Sequence, residues 1–127
     1  MQWFKRTERK DIWEGALEGP FGDIEAAKLI REICSSAADS AEKVGTAADR
    51  TQTKTKRDVE RYERAARAAM GIAMKVSDEL LRDAAVRQIV ELCLKAGNVT
   101  TAKTLLRAIQ TPSIRDDVLR EHPQLLQ

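Results

Sequence analysis

Apolar residues recur along most of this chain at steps of three and four, the spacing that gathers them on one face of a helix. Residues 23–45 carry the first clear stripe, through Ile30, Ile33, Cys34, Ala37, Ala41 and Val44. Asp23 stands where an N-cap belongs, Glu25 suits the positive end of the helix dipole, and Gly45 marks the end. Ahead of it, residues 1–22 mix Trp3, Phe4, Ile12, Trp13, Ala16 and Leu17 with charges. That pattern predicts a short amphipathic segment, broken by the turn formers of Gly19-Pro20-Phe21-Gly22. The polar stretch from Thr46 to Thr55 reads as a loop or a frayed helix join. A second stripe then runs through Val59, Tyr62, Ala66, Ala69, Ala73 and Val76, close to a heptad seam.

Val76-Ser77-Asp78-Glu79-Leu80-Leu81 predicts a helix start, with Ser77 as cap, two acids in the first turn and Val76 stapled to Leu81. The helix that follows carries apolar residues around most of its circumference, leaving a strip through Arg87, Glu91 and Lys95. A helix so patterned is packed on more than one side. Gly97-Asn98 closes it, glycine as the left-handed stop and asparagine as the next cap, so an antiparallel hairpin follows. Helix four presents Val99, Ala102, Leu105, Leu106 and Ile109, and Thr111-Pro112 opens a short fifth helix that ends before Pro123. The expected fold is all-α: five to six helices in one domain over residues 1–127.

The helices after residue 53 also repeat. Leu81, Arg82, Asp83, Ala85, Val86 and Arg87 align with Ile114, Arg115, Asp116, Val118, Leu119 and Arg120 at an offset of 33 residues. Ala69, Ile72, Ala73 and Val76 fall on Ala102, Leu105, Leu106 and Ile109 at the same offset. A period of this length belongs to helical solenoids. The segment VRQIVELCLKAGNVTTAKTLLRAIQTP resembles a tetratricopeptide repeat: Val86, Ile89 and Cys93 stand at apolar positions of its first helix, Gly97 at the turn and Ala102 at the small position of its second. Leu106 takes the large position beyond, and Pro112 falls near the terminal proline. It departs from that pattern at Val90, where a small residue is usual, and at the aromatic positions, which are aliphatic here. The resemblance spans about residues 69–122 and implies a solenoid-type C-terminal half (residues 53–122 carrying the repeat-like helices) and a protein-binding role.

Composition adds little to the fold and more to the function. Apolar residues are 43% of the chain but aromatics only 4%, and the alanine-rich remainder favours closely packed helices. Basic and acidic residues nearly balance, 22 against 20, where a polyanion binder usually shows a larger surplus. Cys34 and Cys93 lie in apolar helical stretches without a CxxC spacing, which predicts buried, reduced thiols in a cytoplasmic protein. No stretch is apolar enough to span a membrane, and the first residues lack the apolar core of a secretory signal.

Candidate chemistry is sparse. The chain has one histidine, His122, next to a proline at a helix end. No zinc spacing, phosphate loop or nucleophile–base motif accompanies it, so no catalytic residue, metal site or cofactor is expected. Two charged features remain. Lys54, Arg57, Arg61 and Arg64 share a helical face that could track phosphates, although Asp58, Glu60 and Glu63 interleave with it. Trp3, Phe4 and Trp13 stand among Lys5, Arg6, Arg9 and Lys10, as in a membrane-surface anchor or a partner contact. The expectation favoured here is a small helical interaction or adaptor protein that forms a homo-oligomer, a dimer. It would bind another protein or itself through surfaces that include Trp3, Phe4, Trp13, Val86, Val90 and Leu94. Nucleic-acid binding through residues 50–67 and peripheral membrane attachment through the N-terminus are the alternatives.

Overall fold

A computed structural model describes residues 11–14, 22–46 and 53–127 of the 127. Among them the fold is all-helical: α1 (Asp23–Thr46), α2 (Thr53–Ala73), α3 (Glu79–Lys95), α4 (Val99–Leu106) and α5 (Pro112–Glu121). A 3-10 turn at Ile12–Glu14 precedes them and another at Pro123–Leu126 follows. Of the amphipathic segment expected over residues 1–22, Trp3 and Phe4 lie outside the described residues.

The predicted stripes become the core. On α1, Ile30, Ile33, Ala37, Ala41 and Val44 are buried, and on α2, Tyr62, Ala65, Ala69, Ile72 and Ala73. Alanines supply much of the shared face, so the two helices lie close along their length, and α1 also packs on α3. At the far end of this packing the approach becomes a backbone contact. A Cβ on Gly45 would stand 2.0 Å from the Lys95 carbonyl oxygen, which only glycine avoids. Gly97 beside it has φ of 75°, the left-handed stop expected of the α3–α4 turn.

The centre of the molecule is α3, which packs on each of the other four helices. Val86 and Val90, expected at a partner surface, are 1% and 0% exposed. They fill the core instead, because an apolar stripe on a helix with neighbours on several sides is enclosed by its own chain.

Two helix starts differ from expectation in one linked way. Asp23 does not cap α1; the helix begins at Asp23 itself, and its carboxylate reaches across to the start of α3. Ser77 donates to it from its N–H (3.0 Å) and its Oγ (2.8 Å), and Asp78 from its N–H (2.9 Å). With Ser77 so engaged, Asp78 is the cap, its Oδ1 accepting from the Leu81 N–H at 2.9 Å.

The same device recurs at the α4–α5 join. Asp83, on α3 and fully buried, accepts through Oδ2 from the Gln110 N–H (3.1 Å), the Thr111 N–H (2.7 Å) and the Thr111 hydroxyl (2.6 Å). Arg115 holds the other side of this turn by donating Nη2 to the Ile109 carbonyl at 2.6 Å. In both joins a carboxylate near the start of one helix gathers the backbone donors at the start of a later one, donors that no helical bond would satisfy.

Candidate partner-binding groove

Between α2 and α4 the surface opens into a cleft of about 300 Å³. The turn at Gly97-Asn98 sends α4 back along α3, and α4 is short, so it does not close over α2. Ala66 and Met70 on α2 and Leu105 on α4 give the walls an apolar lining, with Cys93 of α3 at the base. One hydrogen bond spans the cleft's end, from Asn98 Nδ2 to the Tyr62 hydroxyl at 2.9 Å. Asn98 also caps α4, its Oδ1 accepting from the Thr101 N–H at 3.1 Å. A single side chain therefore sets both where α4 begins and how far it stands from α2. Glu63, Arg67 and Thr101 supply polar groups at the lining. An apolar lining with a few fixed polar groups suits apolar side chains presented by a partner.

The thiols are protonated at neutral pH. Burial pushes Cys93 up to about 11 and Cys34 up to about 12, the latter helped by Cys93 and Glu91 nearby. A thiol held so far above neutrality supplies almost no thiolate, the form that attacks or ligates. Both cysteines are free, Cys93 buried and Cys34 half-buried.

The other residues singled out by sequence are dispersed. Trp13 is 6% exposed and packs with its 3-10 turn on α1 and α2. Arg61 covers it, its guanidinium 5.1 Å from the indole centroid. Arg61 also donates Nη2 to Asp11 at 3.0 Å, and Nη1 to the Ser36 carbonyl (3.1 Å) and Ser40 Oγ (3.0 Å). Of the residues expected on a phosphate-tracking face, Arg61 thus pins the N-terminal turn onto the helix pair. Arg57 and Arg64 are exposed on α2, and the Lys54 side chain lies outside the described residues. Leu94 is half-buried and lines a separate cleft with His122.

Sequence spacing missed what surrounds His122. Glu91, Glu121 and His122 bring one ligand atom each to within 4.8 Å of one another, although Glu91 is 30 residues from Glu121. Arg87 ties the carboxylates together, donating Nε to Glu91 (3.3 Å) and Nη2 to Glu121 (2.8 Å). The polar strip Arg87-Glu91-Lys95 was the available signal; that α5 ends against it was not visible.

No helix among the described residues is long and apolar enough to cross a membrane. Compared with protein-family models, curated proteins and solved structures, the chain matches none.

Proposed function

We propose that this protein is a small helical interaction module, and that the groove between α2 and α4 holds an apolar segment of a protein partner. The observation that carries this reading is the groove itself: apolar walls from two helices, a base formed by α3, and a spacing fixed by the Asn98–Tyr62 hydrogen bond. The tetratricopeptide-like reading of residues 69–122 supports it, since stacked helical hairpins characteristically leave such concave surfaces. Binding rather than catalysis is the role proposed, and free thiols held protonated by burial accord with a reducing, cytoplasmic setting.

A second copy of the chain is the other occupant the groove could take, and one experiment separates the two. Leu105→Arg places a long cation on the half-buried wall without opening the core. Partners captured from the native cell by the wild-type protein and lost by this variant, with the two proteins equally stable and both monomeric by light scattering, support the hetero-partner form. A wild-type dimer that becomes monomeric in Leu105→Arg supports self-association. Identical partners and identical mass for the two proteins rule out the groove. The nucleic-acid alternative gains no support from the structure, because Arg61 spends its donors on Asp11, Ser36 and Ser40.

A further inference from the structure

The ion-pair clasp that joins α3 to the end of α5 gathers more than an ion pair needs. Arg87 takes one oxygen of Glu91 and one of Glu121, so each carboxylate keeps a second oxygen. His122 stands beside them, half-buried, with no hydrogen bond to its imidazole among the described residues. The three side chains line a cleft of about 430 Å³ together with Leu94, Lys95 and Gln124. It shares no lining residue with the groove between α2 and α4.

We propose that Glu91, Glu121 and His122 form a binding site for a divalent transition-metal ion of the zinc class. Two carboxylates and one imidazole are a three-ligand set with an open position, an arrangement this ion accepts. Arg87 serves as the outer partner that orients both carboxylates, as ligating carboxylates are themselves usually hydrogen-bonded. The site also lies at the C-terminal end of α5, where the unsatisfied carbonyls favour a cation. The geometry demands little change. Ligands about 2.1 Å from a tetrahedral ion lie about 3.4 Å apart, so atoms now within 4.8 Å close by no more than about 1.4 Å. Rotation of two partly exposed glutamates supplies that movement. Besides Arg87, which sits on one oxygen of each carboxylate, Lys95 is a cation of the cleft's lining, and its long stem lets the ammonium swing aside.

The chain's single histidine makes the test specific, because every imidazole proton signal belongs to His122. Zinc chloride added to the full-length protein at neutral pH is expected to shift those signals to saturation. Cobalt(II) as a probe is expected to give the visible absorption of a low-coordinate site. His122→Ala leaves the Arg87 clasp untouched and is expected to weaken zinc binding by at least about tenfold, with Glu91→Gln comparable. Lys95→Gln is expected to tighten it, a change of opposite sign that general loss of structure does not produce. Imidazole signals that zinc leaves unmoved, or zinc affinity equal in wild type and His122→Ala, would overturn the proposal and leave an ion-pair clasp only.

Discussion

At the α2–α3 join, Asp23 spreads three hydrogen bonds over both carboxylate oxygens in a half-exposed setting; at the α4–α5 join, Asp83 gathers three onto one oxygen in full burial. The donors are alike: two successive backbone N–H groups and the hydroxyl of a Ser or Thr. What differs is what water can do if the carboxylate is lost. At Ser77 and Asp78, both exposed, solvent can take over the orphaned donors. Asp83 is itself fully buried on α3, and its Oδ1 already meets no donor among the described residues. One arrangement thus has two energetic weights, set by burial rather than by the number of bonds.

The largest expected effect follows directly. Asp83→Ala leaves the Gln110 and Thr111 donors and a small void beside α3, and is expected to cost about 3 kcal/mol. That is a substantial share of the roughly 5–15 kcal/mol that holds a domain folded. Urea unfolding measures the loss. Hydrogen exchange locates it, with the α5 amides losing protection before those of α1. A variant within about 0.5 kcal/mol of wild type, inside the ordinary range for surface substitutions, would show that the buried join is dispensable.

How much of this was legible in the sequence depends on the kind of contact. Apolar periodicity located α1 and its buried face, and local chemistry located Gly97, Asn98 and Pro112, because these depend on residues a few positions apart. The polar tethers depend on pairs the chain separates widely: Asp23 with Ser77, Arg61 with Asp11, Glu91 with Glu121. No helical spacing links such pairs, so the caps of α1 and α3 were assigned by local rules that tertiary contacts override. Asp83 did leave a signal. It stands in the stripe Asp83, Val86, Val90, Cys93, at steps of three, four and three, as the lone charge among residues that are all buried. The 33-residue alignment paired it with Asp116, which is exposed and gathers no helix start. Matching letters aligned the two aspartates without giving them one role. The groove was missed for a related reason: its lining comes from three helices whose separate stripes do not show where they splay.

Acid sharpens the comparison. Burial alone would raise the Asp83 pKa, but the Thr111 hydroxyl, the Thr111 and Gln110 N–H groups and Arg82 outweigh it and hold the carboxyl below its ordinary value. Asp23 is also held low, chiefly by the Ser77 N–H and hydroxyl and the Asp78 N–H. A carboxyl whose folded pKa lies below its unfolded one, about 3.9, contributes stability that is complete above that value. The contribution drains away as pH falls through the folded pKa. Wild type is therefore expected to be more stable than Asp83→Asn near neutrality, with the gap narrowing below about pH 4. A gap independent of pH would mean that shape, not charge, secures the α4–α5 join.

The smallest expected effect belongs to Asp23→Ala, and it tests the comparison from its weaker side. Three bonds are removed, the same number as at Asp83, so a simple count predicts equal damage at the two joins. Burial predicts otherwise: water replaces the carboxylate at Ser77 and Asp78, and α3 keeps its own cap through Asp78 and Leu81. The expected outcome is a midpoint shift clearly smaller than that of Asp83→Ala. Faster exchange should be confined to the first turns of α1 and α3, and the α5 amides should be unchanged. The double variant should show the sum of the two losses, because the carboxylates share no donor. If Asp23→Ala matched Asp83→Ala, the tether between α1 and α3 would be holding the whole α1–α2 pair in register, and exposure would be a poor guide to what a join contributes here.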